Sequence, residues 1–173
     1  MEYKLFVDSD VVIDFFTDRD PYVNPASELF ELSEQGYLKL YLSAVSINNI
    51  YYIVRRFLGH KKTLEIVEAL TEMAEIVGTT KKEIIQALKN NFTDYEDSIQ
   101  YSTALTIKDL DAIITRNIKD YRHSSIAVMT PLNFLKMKEK KRELIMVIAI
   151  PCGCFGSVCI CKVKCQPIPR FWK

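Results

Sequence analysis

The sequence predicts an α/β fold, a three-layer α/β/α sandwich around a central parallel sheet of about four to five strands. Two observations carry that expectation, and a third points to its use. Apolar runs of strand length alternate with longer stretches of helical periodicity, the pattern of right-handed crossovers onto one parallel sheet. No internal repeat or low-complexity linker interrupts the alternation. Aspartates then fall just past the apolar runs. Asp8 and Asp10 close Tyr3-Lys4-Leu5-Phe6-Val7, and Asp120 lies a few residues beyond Asp111-Ala112-Ile113-Ile114-Thr115. Ligands of open parallel sheets collect outside the carboxyl ends of the strands. Carboxylates gathered there repel one another, and a divalent cation such as Mg²⁺ or Mn²⁺ is the usual remedy.

The elements follow in order. Tyr3 to Val7 reads as a buried strand, and Val11, Val12, Ile13, Phe15 and Phe16 make an apolar helix after it. Asp18-Arg19-Asp20-Pro21 breaks that helix. Pro25 suits a first helical turn, and Ala26, Leu29, Phe30 and Leu32 give a stripe ending near Gly36. Leu38 to Leu42 alternates as a second strand. Ser43 to Phe57 carries a long apolar face that stops at Gly59, Thr63 to Ala74 is helical, and Glu75 to Val77 makes a short third strand. Thr80 and Glu83 form a capping box before Ile84, Ile85 and Leu88; Thr93 and Glu96 repeat it before Ile99 to Leu105. Ala112 to Thr115 and Ile126 to Met129 are the last strands, and a helix runs from Pro131 through Leu135. The parse is one domain over 1–138 and a tail over 139–173, basic and then cysteine-rich.

With 173 residues, 49% hydrophobic and 26% charged, the chain has material for one domain with a proper core. Its net charge of +1 argues against a strongly basic binder drawn to nucleic acid by its overall field, while leaving local basic patches open. Lys4 and Asp8 interrupt the opening apolar stretch, so no signal peptide is expected, and Leu144 to Ile150 is too short to cross a membrane. The lack of cysteine before Cys152 fits a cytoplasmic protein. All five cysteines fall between Cys152 and Cys165. Thiolates suit zinc, but these C-x-C steps are tighter than zinc-ribbon spacing, no histidine stands near, and the count is odd. A variable tail of open role is the expectation.

Four segments, in order, resemble the PIN domain, the nuclease fold of toxin ribonucleases from bacterial toxin–antitoxin pairs. Phe6-Val7-Asp8-Ser9-Asp10-Val11-Val12-Ile13-Asp14 is similar to the family's strand, Asp-Thr-Asn and apolar helix, with Asp10 where Asn is usual. Ser43-Ala44-Val45-Ser46-Ile47-Asn48-Asn49-Ile50 is similar to the segment that normally supplies a glutamate, and that position is Asn49 here. Asp94-Tyr95-Glu96-Asp97-Ser98-Ile99-Gln100 resembles the helix-opening aspartate segment, with Asp97 as the family acid. Thr115-Arg116-Asn117-Ile118-Lys119-Asp120-Tyr121 resembles the final acidic motif, and the likeness extends nearly to Phe134.

That resemblance implies Mg²⁺- or Mn²⁺-dependent hydrolysis of an RNA phosphodiester, an antitoxin protein as partner, and a homodimer. It makes Asp8, Asp97 and Asp120 the metal ligands, with Asp94 and Asp10 adding charge or supporting hydrogen bonds. Independently, hard cations want oxygen ligands, and a bound cation polarises a phosphoryl oxygen and activates water. Ser9, Thr115 and Asn117 are candidate supports for the acids. Asp14 reads as an exposed or locally bonded helix residue, and His60 and His123 as solvated loop residues. Arg116, Lys119, Arg55 and Arg56 are the candidates for phosphate contact, Arg116 foremost because it adjoins the crevice. Asn49 is the departure: an amide orients water or ligates but brings no charge. The implied alternative is a catalytically weak or inactive module that binds nucleic acid or protein. Asp8-x-Asp10 after a strand is also similar to the phosphatase motif of haloacid-dehalogenase-like proteins. Val11 and Val12 stand where Gly-Thr is expected there, and no later acidic pair with a lysine is evident.

Overall fold

The structure, a computed structural model, describes residues 2–148. In chain order the elements are β1 (Tyr3–Val7), α1 (Ser9–Phe16), α2 (Val23–Glu34), β2 (Leu38–Ser43), α3 (Ala44–Met73), β3 (Glu75–Val77), α4 (Lys81–Ala87), α5 (Tyr95–Ala104), β4 (Ala112–Ile114), β5 (Val128–Met129) and α6 (Pro131–Ile148). The strands form one all-parallel sheet in the order β3-β2-β1-β4-β5. Leu5 pairs with Leu40 on one side and Ala112 on the other.

Alternation along the strands sets the layers, because successive side chains point to opposite faces. Leu5, Val7, Leu40, Leu42, Ala112 and Ile114 face the larger core, built with Val11 and Val12 of α1, Leu29 and Phe30 of α2, Ile50 and Val54 of α3, and Phe134 of α6. Phe6, Tyr41 and Ile113 face the other way, onto Tyr101 and Ala104 of α5 and onto Tyr121. Both faces of a parallel sheet are thereby covered. The predicted three-layer sandwich is the observed one, with five strands.

The topology also fixes where a ligand can sit. From central β1 the chain crosses to β2 on one side and later reaches β4 on the other. The crevice between two such oppositely departing connections lies outside the carboxyl ends of the strands. Two backbone bonds pin its floor: Asp8 N donates to Ile114 O at 2.9 Å, and Thr115 N donates to Met129 O at 3.0 Å.

Some elements differ from expectation. The two helices read on either side of Gly59 run together as α3, bent at Gly59 (φ 79°, ψ 170°), where Thr63 Oγ1 donates to Gly59 O at 2.6 Å. Helix α6 continues to Ile148 rather than stopping near Leu135, because Lys and Glu sustain a helix without supplying an apolar stripe. The cap of α5 is Asp94, not Thr93: its carboxylate accepts from Glu96 N at 2.7 Å and Asp97 N at 3.4 Å. The Thr80–Glu83 capping box of α4 is present as read. Cys152 to Cys165 lie outside the described residues.

Candidate active site

Asp8 stands where β1 hands over to α1. It occupies the N-cap position with extended backbone (φ −73°, ψ 153°), yet its side chain caps nothing. That carboxylate, 4% exposed, instead accepts from Thr115 Oγ1 at 2.9 Å, Ser9 Oγ at 3.2 Å and the Tyr121 hydroxyl at 3.4 Å. All three donors are neutral. The position is thus built to hold a buried negative charge in place without cancelling it. Tyr121 is itself buried, and desolvation together with the charges of Asp8, Asp97 and Asp10 pushes its hydroxyl well above the usual tyrosine range.

Across the crevice, Asp94 caps α5 and so sets Glu96 and Asp97 in its first turn. Asp97 is half-buried, and its carboxyl is pushed from 3.8 up to about 8. Desolvation is the largest cause, followed by the charges of Asp8, Asp94, Asp120 and Glu96. Asp120 lies in the turn after β4, where its carboxylate accepts from the Asn117 side-chain amide. The Asn117 backbone N donates in turn to Thr115 Oγ1 at 3.0 Å.

A second group of acids is clamped rather than open. Asp10 Oδ2 accepts from Arg116 N at 3.0 Å and Arg116 Nε at 3.3 Å. The same Nε lies 3.0 Å from Asp14 Oδ2, and Arg19 reaches Asp14 Oδ1 at 3.8 Å. Asp14 is 1% exposed, which corrects its reading as an exposed residue while keeping its local partner, Arg19. Desolvation and the Asp8 charge raise Asp10 to about 7 against the pull of Arg116. Burial also raises Asp14, opposed by Arg116 and Arg19. The Asp10 Oδ1 atom is buried without a hydrogen-bond partner. Arg116 further lies over the Tyr22 ring, 4.8 Å from its centroid. It forms one wall of a cleft of about 300 Å³ that Tyr22, Pro25 and Pro131 also line.

Asn49 lies on the first turns of α3. The Glu96 carboxylate of α5 accepts from Gln100 Nε2 at 3.3 Å. Gln100 Oε1 accepts from Ser46 Oγ at 3.0 Å. Burial raises the Glu96 carboxyl, as do the charges of Asp8 and Asp94, while the amides of Asn49 and Gln100 pull it back.

The predicted acids Asp8, Asp94, Asp97 and Asp120 therefore share one electrostatic site, with Ser9, Thr115 and Asn117 as hydrogen-bond donors inside it. Lys119 is exposed beside it. Arg55 and Arg56 are not gathered there: they lie further along α3, about 9 Å beyond Asn49 at the helical rise. Arg55 spends its side chain on Tyr51, whose hydroxyl also meets His60 Nδ1 at 2.9 Å. His60 is accordingly a helix residue with a partner, not a loop residue. Sequence reading missed Glu96, treated as a capping partner, and Tyr121. The overlooked signal for Glu96 was Gln100, a polar residue four positions on, within a stretch otherwise set for burial.

Oxygen-only donors and uncancelled charge are the chemistry that suits a hard divalent cation. Among the described residues no three such side chains already converge as a ligand set. Asp8 and Asp120 would have to turn from their hydroxyl and amide partners to meet one. The ion pairs of the described residues leave out Asp8, Asp94, Glu96, Asp97 and Asp120. The donor set fits such a cation by type and by charge.

The sequence pattern of the PIN domain family matches residues 4–119. The chain belongs to the PIN domain family. Ribonuclease VapC1 of Aquifex aeolicus (strain VF5) is 27% identical over 136 residues, covering 76% of this chain and 92% of that protein. Among solved structures, DNA-bound VapBC from Salmonella typhimurium superposes with a TM-score of 0.58 at 16% identity, over 75% of this chain and 98% of that one. Mycobacterium tuberculosis VapC20, a toxin that cleaves the sarcin–ricin loop, gives 0.51 at 13% identity, over 63% and 86%. At those identities the solved structures establish the fold alone. The fold is the PIN fold, as the sequence resemblance implied.

Proposed function

We propose that this PIN domain is a ribonuclease that hydrolyses RNA phosphodiesters with Mg²⁺ or Mn²⁺, and that it is the toxin of a toxin–antitoxin pair. The observation that carries the reading is the crowding of Asp8, Asp94, Asp97 and Asp120 at the carboxyl ends of β1 and β4, with no lysine or arginine salt bridge to any of them among the described residues. Such an array destabilises the fold it sits in, and a shared cation relieves it. In the proposal Asp8, Asp97 and Asp120 hold the metal, with Asp94 and Asp10 as supporting charge. When bound, the metal would polarise a phosphoryl oxygen and lower the pKa of a water.

The chain's own groups do the rest. Thr115, Ser9 and Tyr121 hold the Asp8 carboxylate in one orientation. Asn117 positions Asp120. Asn49 orients its neighbours rather than supplying charge, which is its part in the catalytic group. Lys119, exposed next to Asp120, is placed to meet a phosphate. The Arg116 guanidinium, although committed through Nε to Asp10 and Asp14, forms the wall past which an RNA backbone would run. Arg55 and Arg56 would touch RNA further from the scissile bond. The family relatives include ribonucleases and VapBC assemblies, which supports an antitoxin partner for this chain. In the same proposal the catalytic domain spans 1–138, the protein is cytoplasmic, and exposed Tyr52 and Phe57 offer a surface for a homodimer. No helix of the described residues is long and apolar enough to cross a membrane.

One observation favours a second reading: an amide at position 49 leaves the crevice one carboxylate short of the family pattern, as in a module that binds RNA or a protein without cutting it. The test is cleavage of a structured RNA with and without Mg²⁺, by the wild type and by Asp8→Asn. Metal-dependent cleavage abolished by the substitution supports the nuclease. Binding of RNA with equal, negligible cleavage by both proteins establishes the module instead.

A further inference from the structure

We propose that the cleft walled by Arg116 and Tyr22 is a nucleobase subsite, which takes the unpaired base of the RNA nucleotide beside the scissile phosphate. The proposal rests on the ribonuclease reading above and adds where the substrate is gripped. Thr115 Oγ1 lies 2.9 Å from Asp8 Oδ2 and 3.5 Å from Asp10 Oδ2, and the next residue, Arg116, is a wall of the cleft. Thr130 and Pro131, which follow β5, line it as well. Cleft and acidic crevice therefore open at the same carboxyl end of the sheet, joined through the Asp10–Arg116 clamp. An RNA strand crossing the acids at Asp8 is placed to carry a neighbouring base into the cleft.

The lining suits a base. Pro25, Pro131 and Leu132 make the cleft largely apolar. Its volume of about 300 Å³ lies at the small end of ligand sites, with room for one flat ring system but not for a helix. Unpaired bases stack on aromatic rings and on guanidinium planes. This wall offers both, with the Arg116 guanidinium carbon 4.8 Å from the centroid of the Tyr22 ring, which stays 44% exposed. Arg116 is held to Asp10 and Asp14 through N and Nε, which leaves the outer guanidinium nitrogens for the phosphate of the same nucleotide. Thr130 Oγ1 accepts from Asn133 N at 3.1 Å, which leaves its proton for an acceptor on the base edge. An apolar side chain from a partner protein would fill the cleft but use neither the guanidinium nor this hydroxyl. A base stacked in a duplex cannot enter such a cleft, so the substrate is a single strand or a loop.

The test uses the full chain and a short single-stranded RNA carrying 2-aminopurine, whose emission reports stacking. Binding is read in EDTA and cleavage in Mn²⁺. Tyr22→Leu keeps an apolar wall but no ring. It is expected to weaken binding about 10-fold, to lower kcat/KM for cleavage by a similar factor, and to abolish the emission change on binding. Tyr22→Phe, which keeps the ring, restores all three. Because Tyr22 is exposed, Tyr22→Leu should melt with the wild type, which separates lost binding from lost fold. Wild-type affinity and emission change in Tyr22→Leu overturn the proposal and leave the cleft to a partner protein's apolar side chain, while the ribonuclease reading stands. A loss that Tyr22→Phe does not reverse, or one equally large on a duplex of the same sequence, overturns it too. If the wild type neither binds nor cuts RNA, both readings fall.

Discussion

Replacing Asp97 by asparagine should stabilise the metal-free protein, and do so only toward neutral and alkaline pH. Asp97 is held up to about 8, first by desolvation and then by the charges of Asp8, Asp94, Asp120 and Glu96. The folded chain keeps a proton there that the unfolded chain releases near 3.8. The stability tied to this group is therefore complete below about pH 4 and is lost as pH rises through about 8. Asparagine has no proton to lose, so the advantage of Asp97→Asn is absent at the acid end and full above about 8. At about 1.36 kcal/mol for each tenfold change in proton affinity, the whole gap would be worth roughly 6 kcal/mol. Asp97 is only half-buried, and water and salt screen its neighbours, which brings the figure down to about 1–2 kcal/mol. For a chain of this size that is about 3–6 °C in Tm. Calorimetric melts of both proteins in EDTA, between about pH 5 and about pH 8.5, read the difference directly. A difference that does not grow with pH, or a variant that melts below the wild type at the alkaline end, refutes the reasoning.

Three further outcomes are expected. Arg116→Gln leaves Asp10 and buried Asp14 without their shared cation, and urea unfolding should show a loss of about 3 kcal/mol, partly recovered by adding Asp14→Asn. A loss near zero would mean the clamp contributes nothing. Gly59→Ala forces a side chain onto φ 79°, ψ 170°, a conformation essentially confined to glycine, and should cost about 1–3 kcal/mol by the same unfolding measurement. Mn²⁺ affinity should fall about tenfold for each pH unit below about 8, because Asp97 must release its proton to face a cation. Titration calorimetry showing constant affinity from about pH 6 to about pH 8 would remove Asp97 from the ligand set.

Much of this architecture was legible because it depends on period and position. Leu5 and Val7 against Phe6 announce a two-faced strand, and an aspartate directly after such a strand can hardly lie anywhere but at a carboxyl-end crevice. The helix around Gly59 was harder, since a glycine that ends one helix and a glycine that bends a longer one have the same local sequence. The start of α5 shows a different failure. Thr93 and Asp94 are adjacent and both are good caps, and the spacing from Thr93 to Glu96 matched a capping box. Asp94 took the cap, which freed the Glu96 side chain to accept from Gln100. Local propensity reports what a side chain can do beside its neighbours. It is silent on a partner 54 residues away in the chain, as Ser46 is from Gln100. The same holds for Asp14 and Arg116, whose pairing depends on how α1 packs beside the end of β4.

The central claim is that one divalent cation, held by the crevice of Asp8, Asp97 and Asp120, carries out RNA hydrolysis. The most direct measurement is the rate of RNA cleavage as a function of Mn²⁺ concentration, with Mn²⁺ binding followed on the same samples, for the wild type and Asp8→Asn. The account predicts that cleavage and binding saturate together in the wild type and that both are lost in the variant. Cleavage that persists in EDTA, or that survives Asp8→Asn, would contradict it.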